Sequence, residues 1–272
     1  MITFPNAKIN LGLRITSRRP DGYHNLETVF YPVPIYDALE VVPASGKNEK
    51  LILSGIDLEG NTDDNLVLKA FRLLQHDFDL PPVDIYLRKN IPVGAGLGGG
   101  SSDAAFMLKL LNEYASLNIC PKKLETYAAK LGADCPFFIR NKPVLAEGTG
   151  NVFSDIQLSL KGYFLVLIKP EVFISTREAF SGIVPCQPTI SLSEIIERPL
   201  SQWKDCLVND FEKSIFRIHP EISEIKEQFY RKGAIYASMS GSGSSVYGIF
   251  DTKPEWKPQW KNCRIFTSAL ED

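Results

Sequence analysis

The stretch of sequence that decides the fold is Pro92-Val93-Gly94-Ala95-Gly96-Leu97-Gly98-Gly99-Gly100-Ser101-Ser102-Asp103-Ala104-Ala105. Five of the seven residues from 94 to 100 are glycine, which lacks a Cβ atom, so the backbone can turn sharply and lie close against a bound group. Alternating polarity predicts a strand at 83–89 before this loop, and helical spacing predicts a helix from about Ser102 to Leu117 after it. Backbone N–H groups at the start of a helix suit an anion. A flexible turn is the alternative, and the strong helix that follows favours a phosphate site instead.

Common phosphate-binding motifs do not account for this loop. Gly94, Gly96 and Gly99 match the dinucleotide pattern G-x-G-x-x-G, but no acidic residue follows at the required distance of about 20 residues. Gly100 stands where a Walker loop has lysine. The chain also lacks the His-Arg-Asp and Asp-Phe-Gly motifs of protein kinases. We therefore predict a phosphate loop of another type.

Around the loop, periodicity predicts alternating strands and helices. Predicted strands lie at 7–15, 29–33, 38–42, 51–53, 83–89, 163–168, 234–238, 246–250 and 263–266, with breaks at Pro32, Pro34 and Asp37. Predicted helices follow Asn65 and cover 121–131, 203–216 and 221–232, while 171–202 is rich in loops. This pattern favours an α+β fold of two packed halves with a boundary near 150–160.

Composition excludes several classes of protein. Hydrophobic residues make up 44% and charged residues 23%, as in an ordinary globular protein. The 30 Lys and Arg residues do not exceed the 32 Asp and Glu residues, so we expect no nucleic-acid partner. The five cysteines have no metal-ligand spacing and are odd in number, which predicts reduced cysteines in a cytoplasmic protein. We also expect no signal peptide and no membrane partner.

Two further segments accompany the glycine loop. Residues 5–13 place Lys8 and Asn10 in a predicted strand, and residues 238–248 join two apolar strands through the second glycine turn Ser240-Gly241-Ser242-Gly243. In this order the three segments resemble the superfamily of galactokinase, homoserine kinase, mevalonate kinase and phosphomevalonate kinase, the GHMP kinases. Residues 20–24, 99–105 and 132–138 look most like members that act on a cytidine diphosphate-linked polyol. The resemblance runs from about residue 3 to residue 250.

The resemblance implies the architecture and the chemistry. It implies a GHMP-kinase fold with a mixed β-sheet N-terminal domain at 1–155, which binds ATP, and a smaller α+β C-terminal domain at 156–272, which completes the acceptor site. The reaction would be ATP-dependent phosphorylation of a tertiary alcohol on the polyol, with Mg²⁺ neutralising phosphate charge. In this family the loop wraps the ATP phosphates, which assigns ATP binding to Pro92, Val93, Gly94, Ala95, Gly96, Leu97, Gly98, Gly99, Gly100, Ser101 and Ser102.

The resemblance also implies roles for individual side chains. The family's aspartate matching Asp134 is the base on the acceptor hydroxyl, and the lysine matching Lys8 lies close by. Residues matching Asn10, Tyr23, His24 and Phe173 line the substrate side. Cys135 stands where many members have valine, which affects no catalytic residue.

Residue chemistry alone leaves alternatives open at several of these positions. A strand lysine such as Lys8 is usually solvated, and Asp134 could be a turn residue that bonds its own backbone. Tyr23 offers a stacking face for cytosine, and His24 could supply a hydrogen bond to it. Asp103 could support the helix dipole or hold a metal. Ser101 and Ser102 could cap the helix or contact phosphate.

Three other functions remain as alternatives. One is a related small-molecule kinase of the homoserine or mevalonate type. Another is an ATP-dependent diphosphomevalonate decarboxylase, against which the Tyr23-His24 pair and the Ser102-Asp103-Ala104 junction argue. The third is a nucleotide-binding module without turnover, and the presence of both Lys8 and Asp134 argues against it.

Overall fold

The computed structural model describes residues 1–57, 61–256 and 262–271. They form two compact units. Unit 1 comprises residues 1–7, 35–93 and 98–142, and unit 2 comprises residues 8–34, 94–97 and the described part of 143–272. These units reflect packing, whereas the predicted division into an ATP-binding domain and an acceptor domain at residue 155 concerns function and stays a prediction.

The secondary structure alternates between strands and helices throughout the described residues. The strands are β1 (Ile2–Thr3), β2 (Asn6–Arg18), β3 (His24–Tyr36), β4 (Ala38–Pro43), β5 (Lys50–Gly55), β6 (Val83–Lys89), β7 (Val144–Glu147), β8 (Val152–Asp155), β9 (Phe164–Pro170), β10 (Tyr236–Met239), β11 (Val246–Phe250) and β12 (Cys263–Ala269). The α-helices are α1 (Leu66–Phe78), α2 (Gly99–Tyr114), α3 (Pro121–Leu131), α4 (Cys135–Arg140), α5 (Thr176–Ser181), α6 (Leu192–Ile196), α7 (Glu212–Ile218) and α8 (Pro220–Arg231). Short 3₁₀ helices lie at Thr62–Asp64 and Leu200–Gln202.

Unit 1 combines a four-stranded sheet with helices α1 to α4. Its strand order is β1-β4-β6-β5, in which β5 pairs with β6 in parallel and the other pairs are antiparallel. Helix α1 begins where the sequence predicts, because the Asn65 side chain accepts a hydrogen bond of 2.9 Å from Val67 N. The buried face of α1 carries Phe71 and Leu74, so its apolar periodicity matches its packing.

Unit 2 contains two more four-stranded sheets. One has the order β2-β3-β7-β8, and the other has the antiparallel order β10-β11-β9-β12. Helix α8 buries Ile222, Ile225 and Phe229 in a core shared with the second sheet. This sheet presents the second glycine turn between β10 and β11.

The α+β fold is confirmed, and several predicted elements agree in detail. Strands β6 and β11 and helix α3 have the predicted bounds. Helix α2 begins at Gly99, three residues before the predicted start at Ser102, because Gly98 in a left-handed conformation is its N-cap. The start of α2 therefore lies within the glycine run itself.

Two predictions were wrong. Pro32 and Pro34 do not break β3. The pairing of β3 with β7 covers only Thr28–Phe30, so the prolines, which lack an N–H group, remove no hydrogen bond from that pairing. Segment 171–202 is rich in loops, as predicted, and it also contains the short helices α5 and α6.

The predicted helix at 203–216 begins only at Glu212. Leu13 N donates to Val208 O at 2.9 Å and Asp210 N donates to Leu13 O at 2.8 Å, so the backbone here pairs with β2 instead of with itself.

Membrane-spanning helices were not expected. Among the helices of the described ranges, none combines the length and the apolar character that crossing a bilayer requires.

Candidate active site

The glycine loop makes its closest backbone contact at Gly96. Gly96 has a left-handed φ of 75°, and a Cβ atom at this position would lie 1.9 Å from the carbonyl oxygen of Ser240. A side chain at position 96 is therefore excluded both by conformation and by space. The predicted second glycine turn thus packs directly on the glycine loop, within unit 2.

The hydroxyl of Ser240 joins this contact to strand β2. Ser240 Oγ donates to Gly96 O at 2.8 Å and accepts from Asn10 N at 3.2 Å. Tyr247 adds a second connection, because its hydroxyl donates to Asn10 O at 2.7 Å. The glycine loop, the second glycine turn and β2 are therefore hydrogen-bonded together in unit 2.

Lys8 is buried on strand β2, not solvated. Its exposed fraction is 4%, and its Nζ donates to Asn10 Oδ1 at 2.6 Å and lies 4.6 Å from the centroid of the Phe30 ring. The backbone N of Lys8 donates to Leu97 O at 3.0 Å, so β2 continues directly beside the glycine loop. Asn10 is fixed in turn, because its Nδ2 donates to Thr28 Oγ1 at 2.9 Å. This arrangement gives a buried cation in a defined position next to residues 96 and 97.

The start of α2 presents backbone donors without a capping side chain. Gly98 is the N-cap and makes no side-chain cap, and the first intrahelical bond runs from Ser102 N to Gly98 O at 2.9 Å. By helix geometry the N–H groups of Gly99, Gly100 and Ser101 have no partner within the helix, which is the arrangement that binds an anion. Ser101 and Ser102 are therefore not caps.

Asp103 makes an ion pair that the sequence did not predict. It is buried and forms an ion pair with Lys89, whose Nζ donates to Asp103 Oδ2 at 2.6 Å. Burial raises the pKa of the Asp103 carboxyl, an effect that the positive charge of Lys89 opposes. Asp103 lies just after the first turn of α2, not within it, and its Oδ2 is the oxygen that pairs with Lys89.

Asp134 lies at the start of a short helix that the sequence did not predict. It is the half-buried N-cap of α4, and its side chain makes no cap hydrogen bond. Pro136 is tolerated at the start of this helix, and Phe137 and Phe138 behind it are fully buried. Cys135 is buried beside Ser101, and burial raises the pKa of its thiol to about 11, so it stays protonated at neutral pH.

Aromatic residues predicted for the substrate side lie in unit 2. Tyr23 and Phe173 are 68% and 73% exposed, which is unusual for such large apolar groups. Phe173 lies against the glycine loop, since a Cβ atom on Gly94 would be 3.2 Å from its Cε2. The His24 ring stacks on Phe180 with centroids 4.9 Å apart and an angle of 24° between the planes.

Sequence reasoning missed the residues that support the second glycine turn. Asn209 Nδ2 donates to Met239 O and to Gly241 O, both at 2.8 Å. Glu212 Oε1 accepts from Met239 N at 2.8 Å, and its Oε2 accepts from Lys226 at 2.6 Å. No sequence signal marks these residues, because they reach the turn from about 30 positions away. Phe180 was missed because α5, the short helix that carries it, was not predicted within the loop-rich segment 171–202.

Two profile matches and the fold identify the family of this chain. The profile of the GHMP kinases N terminal domain matches residues 65–142, and the GHMP kinases C terminal profile matches residues 191–255. The mevalonate kinase of Methanococcus jannaschii has the same fold, with a TM-score of 0.69 at 14% identity, and the match covers 100% of this chain and 98% of that one. The chain belongs to the GHMP kinases, as the resemblance implied.

Within that family, the most similar relatives share one name. A 4-diphosphocytidyl-2-C-methyl-D-erythritol kinase of Bacteroides fragilis is 64% identical over 259 residues, 94% of this chain and 94% of the relative. The kinase of that name from Parabacteroides distasonis is 55% identical over 272 residues, 99% of this chain and 100% of the relative. A crystal structure of 4-(cytidine 5'-diphospho)-2C-methyl-D-erythritol kinase has a TM-score of 0.79 at 32% identity and covers 92% of this chain and 90% of that one.

Proposed function

We propose that this chain transfers the γ-phosphoryl group of ATP to the 2-hydroxyl of 4-diphosphocytidyl-2-C-methyl-D-erythritol, in isoprenoid precursor synthesis by the non-mevalonate route. The observation that supports the transfer chemistry is the structure of the glycine loop, where backbone packs on backbone at Gly96 and no side chain caps the start of α2. The acceptor is inferred from the shared name of the relatives. We also propose that the enzyme is cytoplasmic and acts without a nucleic-acid or membrane partner.

The ATP phosphates would bind to the loop from Pro92 to Ser102. Phosphoryl transfer has a loose transition state, so the protein contributes mainly position and charge. The N–H groups of Gly99, Gly100 and Ser101 supply fixed donors, and they need no reorganisation when charge develops on the phosphate oxygens. Support for the rigid part of this loop comes from the Ser240 hydroxyl.

Lys8 and Asp134 would carry the chemical step. Asp134 would accept the proton of the acceptor hydroxyl as the alcohol oxygen bonds to the γ-phosphorus, while the bond from that phosphorus to the bridging oxygen breaks and ADP leaves. Lys8 would offset the negative charge of the phosphates and of the developing alkoxide. The burial of Lys8 supports this role, because a buried ammonium is screened by water far less than a surface one.

The acceptor would be held by Asn10, Tyr23, His24 and Phe173. The exposed rings of Tyr23 and Phe173 support a stacking role toward a cytosine, since both present large apolar faces. His24 would supply hydrogen bonding from a ring that Phe180 keeps in place.

Mg²⁺ would accompany the nucleotide. Within the described ranges no three His, Cys, Asp or Glu side chains lie together as a metal cage, so these residues fit only an ion carried by phosphate oxygens and water. The Ser102 hydroxyl is buried and has no hydrogen-bond partner among the described residues, so it is available to a group bound at the start of α2. When bound, the ion would supply charge neutralisation at the β- and γ-phosphates.

An acceptor panel tests the proposal. The purified chain is incubated with Mg–ATP and, in separate reactions, the cytidyl polyol, homoserine, mevalonate and diphosphomevalonate, and ADP release is measured. We expect ADP only with the cytidyl polyol, together with a new phosphate monoester. ADP release with homoserine or mevalonate, CO₂ release from diphosphomevalonate, or nucleotide binding without any turnover would overturn the proposed acceptor and establish one of the alternatives.

A further inference from the structure

Three charged side chains of unit 1 lie together beneath the start of α2. Lys89 Nζ donates to Asp103 Oδ2 at 2.6 Å and also to Asp37 Oδ2. The exposed fractions of the Lys89, Asp37 and Asp103 side chains are 2%, 0% and 3%. We call Asp37, Lys89 and Asp103 the buried ion triad.

The triad connects two segments of chain that flank the glycine loop. Asp37 Oδ1 accepts from Asn90 N at 2.5 Å and from Ile91 N at 2.8 Å, so it fixes the backbone where the chain leaves β6. Asp103 lies on α2 just after its first turn. Lys89 joins the two carboxylates, and thus the end of β6 and the start of α2 are held by one ammonium group.

Packing at Gly99 shows how closely these segments approach each other. A Cβ atom on Gly99 would lie 2.8 Å from Ile91 Cγ2 and 3.4 Å from Lys89 Nζ. The first residue of α2 therefore rests on the end of β6 and on the triad. A change in the Lys89–Asp103 bond would alter the position of the helix start directly.

The charge balance of the triad is unfavourable for stability alone. Two buried carboxyl groups share one ammonium, and Asp103 Oδ1 has no hydrogen-bond partner in the described structure. Burying ionic groups costs desolvation free energy, and apolar residues of the same size often stabilise a fold equally well or better. We therefore expect these charges to provide a defined geometry and not only stability.

We propose that Asp103 is a positioning residue for the nucleotide: by binding Lys89 it fixes the first turn of α2, so that the N–H groups of Gly99, Gly100 and Ser101 point at the phosphates. The inference rests on the proposed function, because it takes these donors to bind ATP. Asp103 itself does not contact the nucleotide, and the acceptor site does not depend on it.

The test compares nucleotide binding and turnover in variants of the full chain. Asp103→Leu removes the bond to Lys89 and leaves the balanced Lys89–Asp37 pair, while Asp103→Asn keeps an oxygen acceptor for Lys89. Glu125→Leu is the matched control, because it breaks the Glu125–Arg140 ion pair, which joins α3 to α4 of the same unit and includes no residue of the loop. Affinity for Mg–ATP and for the cytidyl polyol is measured by calorimetry, with KM and kcat from steady-state kinetics and Tm from thermal unfolding.

We expect Asp103→Leu to raise the Kd and the KM for Mg–ATP about tenfold, because a small displacement of the phosphate donors weakens every contact they make. Affinity for the polyol and kcat should stay within about threefold, and Asp103→Asn should restore most of the nucleotide affinity. Glu125→Leu should bind ATP as wild type does. If Asp103→Leu does not fold, Asp103→Ser, whose hydroxyl is too short to reach Lys89, is measured in the same way.

Unchanged ATP affinity in a folded Asp103 variant with a lowered Tm would overturn the proposal and leave the triad a purely structural feature. Equal losses for ATP and polyol would overturn it as well, because they indicate general damage. A wild-type chain that binds no Mg–ATP would overturn the proposed function itself, and this result is distinguishable because it appears before any variant is made.

Discussion

The carbonyl oxygen of Gly96 accepts a hydrogen bond of 2.8 Å from the hydroxyl of Ser240, a residue 144 positions later in the chain. The same hydroxyl accepts from the backbone of Asn10. One side chain therefore fixes the loop proposed to bind phosphate against the strand that carries Lys8. The account of the site depends on this rigid arrangement, and four substitutions test its parts.

Gly96→Ala should abolish ATP use. The added methyl group would lie 1.9 Å from the Ser240 carbonyl oxygen, closer than a Cβ atom can approach another atom. The left-handed φ adds about 1–2 kcal/mol of strain. We expect kcat/KM for ATP to fall by at least about 10²-fold, because the loop must move away from the second glycine turn. Steady-state kinetics with varied ATP measures this.

Gly162→Ala is the matched control for Gly96→Ala. Gly162 also has a positive φ, of 88°, but, apart from its own chain neighbours, no atom of the described residues lies within 4 Å of the position of its Cβ. It should lose about 1 kcal/mol of stability and keep normal kinetics. Equal activity of the two variants would contradict the close backbone contact.

Ser240→Ala should weaken ATP binding without unfolding the chain. Removing the hydroxyl leaves the Gly96 carbonyl and the Asn10 N–H without a partner, at a cost of about 1–3 kcal/mol in the free energy of unfolding. We expect KM for ATP to rise about tenfold, as measured by kinetics at saturating acceptor.

The control for Ser240→Ala lies two residues after the same turn. Ser245 Oγ is buried but has no hydrogen-bond partner in the described structure, so Ser245→Ala removes a hydroxyl without breaking a bond. This variant should keep the wild-type KM for ATP. If both serine variants behave alike, the hydroxyl of Ser240 has no special part in holding the loop.

Lys8→Met should lower turnover while the fold is retained. Methionine keeps much of the apolar stem that packs near Phe30, but it removes the ammonium and its bond to Asn10. We expect kcat to fall by at least about 10²-fold, because the cation would act most strongly where charge develops. Circular dichroism verifies the fold, and a wild-type kcat would remove Lys8 from the chemical step.

Asp134→Asn should separate chemistry from nucleotide binding. The amide has nearly the same shape but cannot accept the hydroxyl proton, and a positioned general base contributes about 10²–10⁴ in rate. We expect kcat to fall by at least about 10²-fold while Mg–ATP still binds with wild-type affinity. Asp205→Asn, at an exposed position, is the control and should be neutral.

The sequence predicted the main parts of this fold well where local patterns decide them. Strand β6, helix α3 and the glycine loop between β6 and α2 follow from alternation, helical spacing and glycine content. Lys8 shows where such patterns fail. The alternation along β2 predicts one solvent-exposed face, yet residues 6–13 are buried on both faces of the strand, so the polar side chains lie inside the protein.

Other parts of the site depend on contacts between distant residues. Asn209 and Glu212 hold the second glycine turn from another region of unit 2, and no local pattern reports this. Helix α4 has only six residues, too few for periodicity to show, so the start of a helix at Asp134 could not be predicted. The roles of Asn10, Tyr23, His24 and Phe173 toward an acceptor stay predictions.

The central claim is that this chain moves a phosphoryl group from ATP to one alcohol of a cytidine diphosphate-linked polyol. The most direct measurement follows the γ-phosphate label of ATP in a reaction of wild-type and Asp134→Asn protein with that polyol. We expect the label in a phosphate monoester on the 2-hydroxyl of the polyol with wild-type protein, and at least about 10²-fold slower labelling with the variant. Label that remains in ATP, or appears only as inorganic phosphate, would contradict the account.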